Sequence, residues 1–184
     1  VCVYEFASNV WNSRGDCITG NAANDRTGID VSISNNMIVA MGGIYADTAS
    51  FQNAGTVQVR QYNSSTSDWV LLDGYLVGGH AESRRHPVAI SDDGTVIVVG
   101  TPNHYTGSLI GAGHVQVYEY VDSGTQYGYQ WSTRFFYEGN ANYDHFGTDV
   151  TISSDGSKVC ASAPNHDNTA GTDAGMVRCY QWEN

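Results

Sequence analysis

The chain has 184 residues, with 19 Asp and Glu against 8 Lys and Arg, for a formal net charge of -11. An acidic balance of this size opposes binding to nucleic acid or to an anionic membrane surface, since both need patches of Lys and Arg. No stretch approaches the roughly 18 unbroken apolar residues of a membrane span, and 21 Gly with 12 Tyr suit many strands joined by tight turns.

Val1–Phe6 (VCVYEF) alternates, so it reads as a strand with Val1 and Val3 on one face. After a polar loop, Trp11 leads an extended stretch that reaches Gly20; its Asn12–Thr19 part is less apolar and ragged. Ile29–Ser34 and Met37–Gly43 then flank Asn35-Asn36, a pair that tolerates the positive φ of a hairpin turn. A loop ending in Ala54-Gly55 leads to Thr56–Tyr62, and Trp69–Leu72 follows, running to Gly74. The order then returns as Val88–Ser91, the turn Asp92-Asp93-Gly94, Thr95–Pro102, a loop ending in Ala112-Gly113, His114–Tyr120 and Trp131–Tyr137. A third passage runs from TDVTIS through Asp155-Gly156 to KVCASAP, and closes with MVRCYQW.

Each complete copy offers four strands: one before the turn, one after it, one after Ala-Gly, and one led by Trp. The period of roughly 60 residues belongs to solenoids, propellers and arrays. Asp-Gly between alternating segments is a strong hairpin signal, and no window carries helical apolar spacing. The expected fold is all-β, made of about three tandem four-stranded antiparallel repeats that form β-propeller-like blades. Counted from the third kind of strand, the units cover approximately residues 1–55, 56–113 and 114–175, with an extra strand at 176–184. Phe6, Tyr62, Tyr120 and Trp182 recur where these strands end. Incomplete strand sets at both extremities imply either a piece of a longer repeat chain or open edges for a neighbouring molecule.

Phe146-Gly147-Thr148-Asp149-Val150, an apolar strand ending in Ser162-Ala163-Pro164, and then Gly175-x-Val177-x-x-Tyr180 resemble the FG-GAP repeats of integrin α-subunit-type β-propellers. Gly100-Thr101-Pro102 echoes the same strand end, while Thr27-Gly28 and Arg84-Arg85 stand where the other copies would carry Phe-Gly. The resemblance implies propeller blades. In its calcium-binding members it also implies an aspartate-rich loop between the first two strands. Here that place holds only Asn35-Asn36, Asp92-Asp93-Gly94 and Ser154-Asp155-Gly156. Such turns are too short to wrap a cation that needs six to eight oxygens, so no calcium site is expected there and no cofactor is assigned.

Cys160 and Cys179 fall on consecutive strands, as do Cys2 and Cys17, and neighbouring strands bring Cα atoms within disulfide reach. The expected pairs are 2–17 and 160–179, with four buried free thiols as the alternative. Asn63-Ser64-Ser65 is a glycosylation sequon in a polar loop. Acidic charge, few lysines, paired cysteines and this sequon together point to a secreted, extracellular protein.

His104 and His166 occupy equivalent Pro-Asn-His turns, whose Asn and His satisfy backbone groups. Asp167, Asn168 and Asp173 are the weak candidates for a metal, calcium being the one that oxygen-rich loops take. Asp30 and Asp149 align between copies and read as caps of strand ends rather than as an acid–base pair. His80, Glu82, Arg84, Arg85 and His86 form the densest polar cluster, and read as a contact surface. Tyr127, Tyr129, Trp131, Phe135, Phe136 and Tyr137 form the richest aromatic run, suited to sugar stacking or to packing between blades or subunits. Nucleophile elbows, phosphate loops, His-Glu-x-x-His and Cys-x-x-Cys patterns are absent from the sequence. The sequence thus points to a non-enzymatic structural or adhesive module that forms homo-oligomers or a filament, or joins flanking repeats. The second reading is a carbohydrate-binding or glycan-cleaving propeller.

Overall fold

The structure, a computed structural model, describes residues 1–77, 87–124 and 128–182. Among them no helix forms and every strand pairing is antiparallel. The first sheet is the hairpin β1 (Tyr4–Ala7) and β2 (Val10–Ser13), turned at Ser8 and Asn9 with φ of 53 and 63. Its pairing continues past β2: the Arg14 and Ile18 N–H groups donate to the Val3 and Val1 carbonyls at 2.9 and 2.7 Å. The ragged stretch is thus an extension of β2 alongside Val1–Val3.

The second sheet runs β3 (Thr27–Ile33), β4 (Ile38–Gly43), β5 (Thr56–Asn63), then β6 (Asp68–Leu71) and β7 (Leu76–Val77). β6 pairs with the end of β5 and β7 with its beginning, so together they make one outer strand interrupted near Asp73, whose φ is 58. The third sheet runs β8 (Val88–Ile90), β9 (Val96–Thr101), β10 (His114–Asp122) and β11 (Tyr129–Glu138), where the outer strand is continuous. The fourth holds β12 (Val150–Ile152), β13 (Lys158–Ala163) and β14 (Met176–Gln181). The sheets are meanders of the expected strand order. Boundaries at 55/56 and 113/114 fall just before β5 and β10, because the sequence count starts on the third strand of a sheet.

Consecutive sheets stack face to face around three apolar clusters, in the manner of propeller blades, and no sheet closes on itself among the described residues. Strand geometry explains how one sheet serves two clusters. Successive side chains point to opposite faces, so β4 sends Val39 and Met41 towards the first sheet, and Ile38 and Ala40 towards the third. In β9, Ile97 and Val99 face the second sheet while Val96 and Val98 face the fourth. Every residue of β4 and β9 is therefore buried, each large aliphatic side chain contributing about 1.5–3 kcal/mol. The first strands β3, β8 and β12 lie nearest one another along the stack.

The turns nest as well. A Cβ on Gly94 (φ 78) would stand 2.5 Å from Ile38 Cδ1, and one on Gly156 (φ 71) 2.9 Å from Val96 Cγ2. Ile38 and Val96 hold the same position in successive sheets, so each Asp-Gly turn needs its glycine for both conformation and close approach.

Candidate functional site

The chemistry carried by the repeated polar residues lies between sheets. Val88 N–H donates to Asp30 Oδ2 at 2.7 Å and Ile90 N–H to Ser32 Oγ at 3.2 Å, so β3 supplies acceptors to the first strand of the next sheet. Trp131 N–H donates to Asp73 Oδ2 at 3.0 Å at the outer rim. A backbone ladder joins the turns: Asn35 N–H donates to the Asp92 carbonyl at 2.9 Å, and Asp92 N–H to the Ser154 carbonyl at 3.0 Å. Asp30 thus caps a strand, as its sequence position suggests, but a strand of the neighbouring sheet. Asp149 takes the N–H of Val150 on its own strand at 3.0 Å.

Within each turn a carboxylate binds its own loop. Asp155 Oδ1 accepts from the Ser153 hydroxyl (2.5 Å) and from the Ser157 N–H (3.0 Å), which hold its carboxyl far below the usual aspartate value. At Asp93 burial works against ionisation, yet the Ser91 hydroxyl and the Thr95 N–H and hydroxyl outweigh it, and its pKa is also lowered.

Two buried aspartates escaped the sequence reading. Asp25 accepts the Ala22 N–H at 2.9 Å, and Asp144 Oδ2 meets His166 Nδ1 at 3.1 Å. Each closes a Gly-Asn-Ala-x-x-Asp loop, from Gly20 and from Gly139, in which the residues on both sides of the aspartate have positive φ: Asn24 and Arg26, Tyr143 and His145. The recurring six-residue pattern was the signal that could have revealed them.

Of the residues singled out from sequence, Cys2 pairs with Cys17 and Cys160 with Cys179, joining the expected strands. Asn63 is exposed at the end of β5, and its Oδ1 accepts the Ser65 N–H at 2.9 Å. Asp167 Oδ1 takes the Asp173 N–H at 2.9 Å, Asn165 Nδ2 donates to Asp173 Oδ1 at 3.2 Å, and Asn168 Oδ1 takes the Ala170 N–H at 2.8 Å. These three candidates for a metal each take hydrogen bonds from within their own loop. Among the described residues no three His, Cys, Asp or Glu gather as metal ligands. The turns of His104 and His166 share two backbone bonds: each N–H donates to the carbonyl of Thr101 or Ala163, and each carbonyl accepts the N–H of Gly113 or Gly175. His80, Glu82, Arg84, Arg85 and His86 lie outside the described residues, as does Tyr127.

The aromatic run does not form one surface. Trp131 is a core residue rather than part of a contact face, packed with Tyr120 at 4.9 Å against the second sheet. Tyr129 and Phe136 are exposed; Phe135 stands 5.6 Å from Trp182, on the face towards the fourth sheet. Alternation separates them, and a bulge between Val117 and Tyr118 shifts the pairing of β10 with β11 midway. A pocket of about 320 Å³ opens beside the second and third sheets, lined by Thr101, His104, His114, Gln116, Tyr118, Phe136, Glu138 and Val77. Tyr118 OH donates to Gln116 Oε1 at 2.8 Å, and among the described residues the hydroxyl of the buried Thr101 has no hydrogen-bond partner.

The chain matches no protein-family profile and no curated protein sequence. Solved structures similar to it include a complex of KlAtg21 with the coiled coil of AgAtg16, at 14% identity and a TM-score of 0.46, covering 73% of this chain and 36% of that one. Leech intramolecular trans-sialidase, complexed with 2,7-anhydro-Neu5Ac, aligns at 15% identity and a TM-score of 0.47, covering 95% of this chain and 26% of that one. TolB from Acinetobacter baumannii aligns at 12% identity and a TM-score of 0.41, covering 98% and 37%. The chain spans about a quarter to just over a third of the length of these proteins.

Proposed function

We propose that the chain is a non-enzymatic, extracellular structural or adhesive module of β-propeller type that associates with further copies of itself into a filament. The observation that carries this reading is the use made of the repeated polar residues. The side chains of Asp30, Ser32 and Asp73 join one sheet to the next, while those of Asp93, Asp155, Asp167 and Asp173 close turns. Two disulfides suit an oxidising compartment, and the exposed Asn63 is open to a glycan. FG-GAP kinship draws support from Phe146-Gly147. Phe146 is fully buried between the third and fourth sheets and donates its N–H to the Ala112 carbonyl at 3.0 Å. Sedimentation velocity and electron microscopy on the oxidised protein test the reading: concentration-dependent growth into filaments is expected, and a strict monomer opposes it.

The second reading, carbohydrate binding or cleavage, draws on the pocket beside Phe136, to which His104, Gln116 and Glu138 bring polar side chains. A glycan array and a panel of glycosides decide it, and silence on both removes it.

A further inference from the structure

The second and fourth sheets carry the same loop between their second and third strands, with one telling difference. Ala46 and His166 each donate an N–H at 3.3 Å to the last carbonyl of the strand before, Gly43 or Ala163. The carbonyl of each accepts the N–H of Gly55 or Gly175 at 3.0 Å. One residue on, Asp47 Oδ1 takes the Asn53 N–H at 2.8 Å, as Asp167 Oδ1 takes that of Asp173 at 2.9 Å. Residue 46 therefore stands where residue 166 does. The aspartates correspond as well, each closing the Gly-Asn-Ala-x-x-Asp linker that enters its sheet.

In the fourth sheet His166 Nδ1 meets Asp144 Oδ2 at 3.1 Å, and Asp144 is 2% exposed. In the second, Asp25 is also buried, at 8%; its Oδ2 accepts the Ala22 N–H at 2.9 Å, while Oδ1 takes no hydrogen bond from the described residues. Ala46 ends at Cβ and offers no side-chain donor. A buried carboxylate is costly unless donors match its oxygens. Both members of the pair belong to one sheet in each case, so the difference arises within the second sheet, at residue 46. Asp25 and Ala46 line a cavity of about 600 Å³, bounded also by Tyr45, Asp47 and Tyr75. That volume falls in the range of small-molecule sites. Its lining holds two carboxylates and, among the described residues, no Lys, Arg or His. Tyr45 N–H donates to the Asp25 carbonyl at 3.3 Å and Tyr75 OH to Asn21 Oδ1 at 3.3 Å, so both tyrosines are held at the wall. Arg26 Cζ stands 4.8 Å from the centre of the Tyr45 ring, which is thus already matched to one guanidinium.

We propose that this cavity binds a small organic cation whose planar head donates N–H bonds, a guanidinium or an imidazolium. The head takes the place beside Asp25 that the His166 imidazole takes beside Asp144, and donates to Asp25 Oδ1. Asp47 and the tyrosine rings favour its positive charge. The site is independent of self-association and requires none.

The test titrates the whole oxidised chain calorimetrically with agmatine, histamine and, as a neutral match for the guanidinium, N-butylurea. Agmatine or histamine is expected to bind at one per chain, with butylurea weaker by about tenfold or more. A short peptide with one internal arginine separates a side chain presented by a protein from a free amine, and binding of either form supports the site. Ala46→His places an imidazole beside Asp25 and leaves every carboxylate in place. It is expected to weaken agmatine binding by about tenfold or more, while the melting temperature without ligand holds or rises. Asp25→Asn keeps an oxygen for the Ala22 N–H but loses the charge, and decides the matter by the same loss of binding should Ala46→His fail to fold. Asp155→Asn, which removes a carboxylate outside the cavity, is expected to bind as the parent does. Cations that bind no tighter than butylurea, or that bind the parent and both cavity variants alike, overturn the proposal. A loss as large in Asp155→Asn as in Asp25→Asn overturns it too, since diffuse acidic charge would then account for the binding.

Discussion

Asp93 and Asp155 show how single residues set the behaviour of the turns. Both carboxyls titrate lower in the folded chain than in the unfolded one. Their contribution is complete above the unfolded aspartate value of about 4, and is lost as pH falls through the folded value. The double variant Asp93→Asn with Asp155→Asn should therefore lose less stability than the parent between about pH 4 and pH 2, measured as denaturant midpoints across that range. Phe146 works through volume instead. It has no exposure and sits among Val98, Val115, Val150 and Val159, so Phe146→Ala should cost about 3–5 kcal/mol in equilibrium unfolding. Gly147→Ala adds strain, since φ is 87 and a Cβ would approach the His114 carbonyl oxygen to 2.7 Å.

Among elements, the strands are held by cross-sheet bonds and by covalent links at the two ends of the stack. Asp30→Ala leaves the Val88 N–H without its acceptor between two sheets, and should destabilise by about 1–3 kcal/mol. Asp30→Asn, which keeps an acceptor oxygen, should recover most of that loss in the same denaturant titration. Replacing Cys2 and Cys17 together by Ser frees a loop with a sequence separation of 15, for which chain entropy predicts a loss of about 3 kcal/mol. Since Val1, Val3 and Ile18 cover Val39, Met41 and Trp69, that variant should also increase exposure of Trp69, read as a red shift in fluorescence.

For the whole molecule, the shared clusters couple the sheets. Each of β4 and β9 contributes to two clusters, so no inner sheet can open without uncovering apolar surface on both neighbours. Tryptophan fluorescence, reporting on Trp69 and Trp131, and far-ultraviolet circular dichroism should therefore give coincident unfolding transitions. Separate transitions would mean that the sheets unfold as independent repeats.

Much of this architecture was legible in the residues. Alternating segments, Asp-Gly turns and the repeated aromatic ends fix strand order, antiparallel pairing and the disulfide partners, because these depend on neighbours along one meander. The interrupted outer strand at Asp73, the burial of Trp131 and the pairing of Asp144 with His166 were not. Each depends on residues from a different sheet or a distant loop: Asp73 on Trp131, Trp131 on Leu72 and Leu76, Asp144 on His166. Local pattern determined what each strand is. Only the stacking of one sheet on the next, where desolvation and hydrogen bonding act across tens of residues of sequence, decided which face is covered and which acidic groups hold the stack together.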